Sequence, residues 1–377
     1  MKEIKVLIKG AYGVGNLGDD MLMIACNSLI KKVISEEKTA VLSHNAKYLK
    51  RLLPDTLFIP ISSCAIRCDL LVFGGGTQFF SFPLTKKAKM FSLNQITLTI
   101  KSPLKTLKKI YERYILKYRV FPQKYAALGL GFGPFIAESV EEIKTKKLLK
   151  KTDFIAVRDI NSLEICRNWG IKNALLRTDL CFIPEIFDII YDYQERPSSS
   201  KKRIGVIVRD WPHSSEGNSY IIPIQEAIKE LRSLGFEMQY VLFNKRDKKW
   251  IETLINDRES FILWEPEKND MKSFFSELHQ FDAFITARYH GAVFSAILKK
   301  PVICIEIEPK LYHISKLLEN GSELWNLPFN SHHLVNLSVN LFKNYKQRVS
   351  HLNNVVNKLR SLALMMEDEF KNFINCI

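Results

Sequence analysis

The chain contains no run of about 18 apolar residues in its 377, so no helix is expected to span a membrane. It contains no CxxC pair either. Seven cysteines are scattered along it, and Cys64 and Cys68 have no second pair or nearby histidine, which excludes a zinc set. Cysteines placed in this way are expected to be small buried hydrophobes in a reducing cytosol. The first nine residues are too short and too charged for a signal peptide. Acidic residues are the scarcer sign: 40 Asp and Glu stand against 55 Lys and Arg, a formal charge of +15. That excess favours anionic partners (phosphorylated small molecules, acidic lipid surfaces or nucleic acid), and composition does not choose among them. Apolar residues make up 46% and charged ones 25%, which excludes a mostly disordered chain. At roughly 150 residues per domain, the length suggests two domains with real cores.

Short apolar runs alternate with helical patterns. Strands are predicted at residues 4–9, 39–43, 69–73, 125–130, 154–157 and 174–177, with a helix over 160–169 closed by Gly170. The polar, serine-rich stretch 195–203 reads as a linker. Beyond it the alternation restarts, with strands at 204–209, 236–243, 261–264, 281–286 and 302–305. Helices are predicted at 221–234, 248–256, 271–280 and 290–299. From 334 to 377 the pattern is helical and unbroken by glycine or proline. Two doubly wound, Rossmann-like α/β domains facing a cleft are therefore expected, at 1–197 and 201–333, followed by a long C-terminal helix in 334–377. One stretch is strongly basic: between Lys86 and Lys124 the single acid is Glu112. Its apolar residues recur at helical spacing, which suits either an anionic membrane surface or a solvated helix packed on the domain.

Gly13-Val-Gly-Asn-Leu-Gly18 follows a strand and opens a helix, the context of a dinucleotide fingerprint. The next strand ends without the acid that would hold a ribose, which argues against a nicotinamide cofactor. What remains is a glycine turn at a helix N-terminus, suited to an anion or a sugar, with Asp19 and Asp20 as helix-capping acids. Gly74-Gly75-Gly76-Thr77 and Gly129-Leu-Gly131-Phe-Gly133 are two more glycine loops at strand ends. Arg158 and Arg209 each follow an apolar strand, where a guanidinium can grip an anion. Arg288-Tyr289-His290-Gly291 ends a strand and opens a helix, placing an imidazole where anions bind. The other seven histidines, His213 among them, lack such a setting. Lys310 follows the next strand and adds a positive charge. Glu259 and Glu267 show a glycosyltransferase-like spacing but lie at no strand–helix junction.

Taken in order, Gly15-Asn16-Leu17-Gly18-Asp19, Gly74–Thr77, residues 128–134, Val157-Arg158-Asp159, Thr178-Asp179, Arg288–Gly291 and Pro309-Lys310 resemble the polysaccharide pyruvyl transferase family. The resemblance implies a glycosyltransferase-B-type fold. It also implies transfer of enolpyruvate from phosphoenolpyruvate onto two hydroxyls of a sugar, giving a cyclic ketal. It puts the catalytic group at His290 and donor contacts at Arg158 and Lys310, with Arg288 as a further cation. Asn16, Gly18, Asp19, Gly75 and Gly76 are expected on the acceptor side. No metal or redox cofactor and no nucleic-acid partner is expected; the acceptor is a sugar or lipid-linked oligosaccharide. A cytoplasmic location is expected, peripheral on the membrane if residues 86–124 bind it. Two alternatives stay open: a sugar-nucleotide glycosyltransferase on the same fold, and a catalytically silent membrane-surface module.

Overall fold

The computed structural model describes residues 4–35, 38–61, 66–82, 120–191 and 201–376. The first sheet has seven strands: β1 (Val6–Lys9), β2 (Thr39–Ser43), β3 (Leu57–Pro60), β4 (Ile66–Phe79), β5 (Val120–Phe132), β6 (Phe154–Val157) and β7 (Ala174–Leu176). They lie in the order β3-β2-β1-β4-β5-β6-β7, and every pairing is parallel. The second sheet contains β8 (Arg203–Ile207), β9 (Glu237–Leu242), β10 (Phe261–Leu263), β11 (Ala283–Thr286), β12 (Val302–Ile305) and β13 (Ser322–Trp325). Its order is β10-β9-β8-β11-β12-β13, again all parallel.

Parallel sheets are covered by helices on both faces, and the buried side chains show it. Val6, Ile8, Leu70 and Val72 belong to one core, while Leu7, Leu71 and Phe73, a step of one away, belong to another. The first of these cores continues into the second lobe. The predicted strands and helices fall where expected, with ends exact or moved by at most two residues. The exceptions are β4 and β5, which extend well past the predicted runs. Gly170 and Gly235 sit at φ +73° and +92° behind their helices, the left-handed position that glycine occupies without strain.

The long C-terminal helix is present as Tyr345–Asn375, but a separate helix, Ser331–Lys343, precedes it. Asn344 breaks the run with φ −117° and ψ 31°, although no glycine or proline marks the place. The long helix returns to the first lobe. There Phe370 and Phe373 pack on Phe154, and Glu367 takes Lys32 and Lys371. Among the described residues no helix is long and apolar enough to cross a membrane. Of the basic stretch 86–124, residues 86–119 lie outside the described residues, as do 195–200 of the expected linker. Five of the six described cysteines are buried; Cys376 is exposed.

The lobes meet along the first helix, Leu17–Lys31. Neither Asp19 nor Asp20 caps it; both stand inside its first turn. Leu17 N donates to Phe243 O at 3.1 Å. Asp20, fully buried, accepts from Trp264 Nε1 of the second lobe at 3.0 Å and from the Tyr48 hydroxyl at 2.9 Å. Burial pushes its carboxyl up to about 7. The folded chain therefore keeps a proton that the unfolded chain releases from about pH 4 upward. Stability from this group should fall as pH rises from about 4 to 7, by at most about 1.4 kcal/mol per unit, and level off above. Urea unfolding across this range should show the decline in the wild-type chain relative to Asp20→Asn; parallel curves would refute it.

Candidate active site

The carboxyl ends of β1, β4, β5 and β6 face those of β8, β11 and β12, the place where open parallel sheets bind ligands. A cavity of about 170 Å³ lies between them. Of the residues expected from sequence, Asn16, Asp19, Gly76, Arg158, Arg288, His290 and Lys310 line it.

Arg158 leaves β6 and is buried. Its Nη1 donates to Asp179 Oδ2 at 3.1 Å and its Nη2 to Thr77 Oγ1 at 2.9 Å. The guanidinium carbon lies 3.7 Å from the centre of the Tyr289 ring, a cation–π contact between lobes. A Cβ on Gly131 would come within 2.7 Å of Arg158 Nε, so that glycine clears space for the guanidinium. Arg158 Nε, at 3.5 Å from Asp159 Oδ2, has no hydrogen-bond partner.

His290 stands in the first turn of the helix Tyr289–Ile297, directly after β11. Its Nε2 lies 3.7 Å from Asp179 Oδ2 and is likewise without a hydrogen-bond partner. Asp179 thus faces both the guanidinium of its own lobe and the imidazole of the other. Burial alone would push this carboxyl up. His290, Arg158 and the Cys181 N–H together hold it well below the usual carboxylate range.

Every cation here has a carboxylate beside it. Arg288 pairs with Asp247 and leaves its Nε without a partner. Glu308, buried, holds Arg209 and takes Lys310 Nζ at 3.0 Å. Burial pushes the Lys310 ammonium down to about 8, with Arg209 and Arg158 adding to the effect and Glu308 opposing it. The site is therefore not a bare cationic cradle. Its cations are aimed by acids, and the buried Nε atoms of Arg158 and Arg288 have no hydrogen-bond partner in the protein.

Two sequence expectations are corrected. Gly18 and Gly75 do not line the cavity. A Cβ on Gly18 would lie 2.3 Å from His290 Nδ1, so Gly18 is the floor under the imidazole. Gly75 presses on Leu22, where a Cβ would come within 2.7 Å. His213, read as lacking a functional setting, lines the cavity with Trp211, Phe80 and Phe82. Asp247 and the pairing of Glu308 escaped the sequence reading altogether. Asp179 had a usable signal, for it follows β7 as Arg158 follows the adjoining β6. Glu259 and Glu267 pair with Arg232 and Lys245 away from the cavity.

Asp179, Cys181 and His290 bring three metal-binding atoms within 4.8 Å. Burial raises the Cys181 thiol well above its ordinary value, and Arg158 already occupies the Asp179 carboxylate. The trio suits a facing acid–imidazole pair better than a cation.

The sequence pattern of the family described as polysaccharide pyruvyl transferase matches residues 16–309, taking in every cavity-lining residue named above from Asn16 onward except Lys310, one position past its end. The chain belongs to this family. A polysaccharide pyruvyl transferase is a transferase with a role in polysaccharide biosynthesis, and this chain shares that coarse assignment. A comparison with curated proteins finds no match. Among solved structures, S. aureus MnaA with UDP is similar at a TM-score of 0.57 and 11% identity, covering 100% of this chain and 98% of that one. Anabaena Alr3699/HepE in complex with UDP-glucose gives 0.55 and 12%, covering 100% of both chains. UDP-GlcNAc 2-epimerase from Neisseria meningitidis bound to UDP-GlcNAc gives 0.53 and 12%, covering 98% of this chain and 100% of that one. At such identities the likeness shows the fold alone: two parallel α/β lobes in the glycosyltransferase-B-like arrangement.

Proposed function

We propose that this chain moves pyruvate from phosphoenolpyruvate onto two hydroxyls of a sugar in a surface polysaccharide or its lipid-linked precursor, forming a cyclic ketal. The observation that carries the reading is the Arg158–Asp179–His290 contact across the cleft, in a member of the polysaccharide pyruvyl transferase family. Phosphoenolpyruvate is a compact trianion near neutral pH. Arg158, Arg288 and Lys310, which all line the cavity, are suited to its carboxylate and phosphate.

Protonation of the methylene carbon by His290 makes a methyl group and an oxocarbenium-like carbon. One sugar hydroxyl adds to that carbon and gives up its proton. The carbon–oxygen bond to phosphate breaks, and phosphate leaves with a proton. The second hydroxyl then closes the ring, releasing its proton as well. Two hydroxyl protons are lost; one ends on the methyl group and the other on the phosphate. Asp179 keeps the imidazole turned to the reacting carbon, and Asn16, whose Nδ2 donates to Asp19 at 2.6 Å, faces the acceptor.

The test is incubation with phosphoenolpyruvate and a panel of synthetic and lipid-linked glycosides, following phosphate release and the mass gained by the sugar. Consumption of nucleotide sugars alone would replace this reading with a glycosyltransferase. Lys310→Ala should raise the donor KM by roughly 10- to 100-fold, the value of about 1.5–3 kcal/mol for a hydrogen bond to a charged group. In the wild-type enzyme kcat/KM for the donor should fall above about pH 8, where the Lys310 ammonium loses its proton. Lys310→Arg, which stays charged, should move that fall to higher pH. An unchanged donor KM in Lys310→Ala would remove the lysine from the donor site.

A further inference from the structure

The cavity carries a second surface that a small trianion does not need. Past β4 the chain runs on extended to Phe82. Gly133 N donates to Phe79 O at 3.0 Å, Ser81 N to Pro134 O at 2.8 Å, and Ile136 N to Ser81 Oγ at 2.7 Å. Phe79 turns into the core against Phe73 and Phe132. Alternation along an extended segment then sends Phe80 and Phe82 to the opposite side, where both line the cavity. Their ring centres are 5.3 Å apart, and Phe80 is 40% exposed.

The second lobe completes the surface from the loop after β8. His213 stacks on Phe82 at 4.2 Å and 23°, and Trp211 meets Phe82 edge-on at 5.3 Å. Trp211 is itself held by its N–H to Asn218 Oδ1 at 3.1 Å and by the Arg209 guanidinium 4.8 Å from its ring. Burial lowers the His213 imidazole below its ordinary value, and Arg209 pushes it further the same way. A neutral ring is what stacking on Phe82 calls for.

We infer that Phe80 and Phe82, backed by Trp211 and His213, form the platform on which the ring of the acceptor sugar stacks. A hexopyranose presents one face of C–H bonds and an edge of hydroxyls, so it can lie on exposed rings and offer its hydroxyls to His290. Phosphoenolpyruvate has no such face. The inference deepens the pyruvyl-transfer reading by placing its acceptor and rests on that reading for the identity of the occupant. A pyrimidine base is the other planar ligand that would stack here, and the test separates the two.

Saturation-transfer NMR on the full chain would use methyl glycosides of galactose, glucose and N-acetylglucosamine, with uridine monophosphate as competitor. At least one glycoside should receive saturation at the C–H protons of one ring face. Phe80→Ala should weaken that glycoside by about five- to tenfold, Phe80→Trp should restore it, and uridine monophosphate should not displace it. In turnover assays the Phe80→Ala loss should appear in the acceptor KM rather than in kcat. No saturation of any glycoside, equal saturation in Phe80→Ala, or saturation confined to the uracil protons would overturn the platform. Face-selective saturation without phosphoenolpyruvate turnover would leave the platform standing and remove the donor assignment instead.

Discussion

His290→Gln is expected to lower kcat by about 10²- to 10⁴-fold, the usual worth of a positioned general acid–base. The donor KM should move far less, because glutamine keeps a polar group at the site while losing the ability to deliver a proton to carbon. The geometry makes this the most exposed test of the mechanism. The imidazole lines the cavity, sits on the Gly18 backbone and turns its Nε2 to the Asp179 carboxylate at 3.7 Å. A side chain held in this way contributes little to the core, so the variant should keep its circular dichroism and unfold within about 1 kcal/mol of the wild type. Single-turnover phosphate release separates the chemical step from product release. A folded variant that retains turnover within tenfold would move the proton transfer to another group, with Lys310 the next candidate in the same cavity.

How much of this was legible in the sequence depended on where each residue sits. Strands buried on both faces announce themselves as continuous apolar runs, and 39–43, 154–157 and 302–305 were read to the residue. The strands that escaped, β3 and β13, are edge strands like the recognised β7 and β10, but their four residues are only half buried and carry a terminal Pro60 or an internal Glu323. An edge strand has a weaker hydrophobic pattern because one side has no neighbour. The triple glycine misled in the other direction. It reads as a loop, yet β4 continues through it, because Gly74 lies where a Cβ would strike Tyr12 and Cys26. The site divides in the same way. Arg158, Arg288, His290 and Lys310 follow strands and were found by position. Asp247 comes from the loop after β9, and its pairing with Arg288 is decided by how β9 and β11 flank β8, which no local pattern encodes. His213 became part of the cavity only because the lobes close on Phe82.

Asp179→Asn should produce the second large effect, and it should appear in two measurements that a merely structural residue would not link. The first is stability. Arg158 is buried, and without the Asp179 carboxylate its guanidinium would keep only the more distant Asp159 at 3.5 Å, a loss of about 3 kcal/mol. Because the native carboxyl lies well below its ordinary range, this contribution is complete above the unfolded value of about 4 and is lost as the pH falls below it. The gap between wild-type and variant unfolding free energies should therefore be wide at pH 7 and narrow in acid. The second measurement is kcat at saturating donor and acceptor. Asp179 faces the His290 imidazole from the other lobe, so replacing its carboxylate with an amide should loosen the imidazole and reduce kcat by about 10-fold or more. Asp179→Glu, which restores the charge, should recover kcat more fully than the stability, since the longer side chain fits the buried pair poorly. An unchanged kcat while stability alone falls would confine Asp179 to holding Arg158 and would break the proposed link between the two lobes.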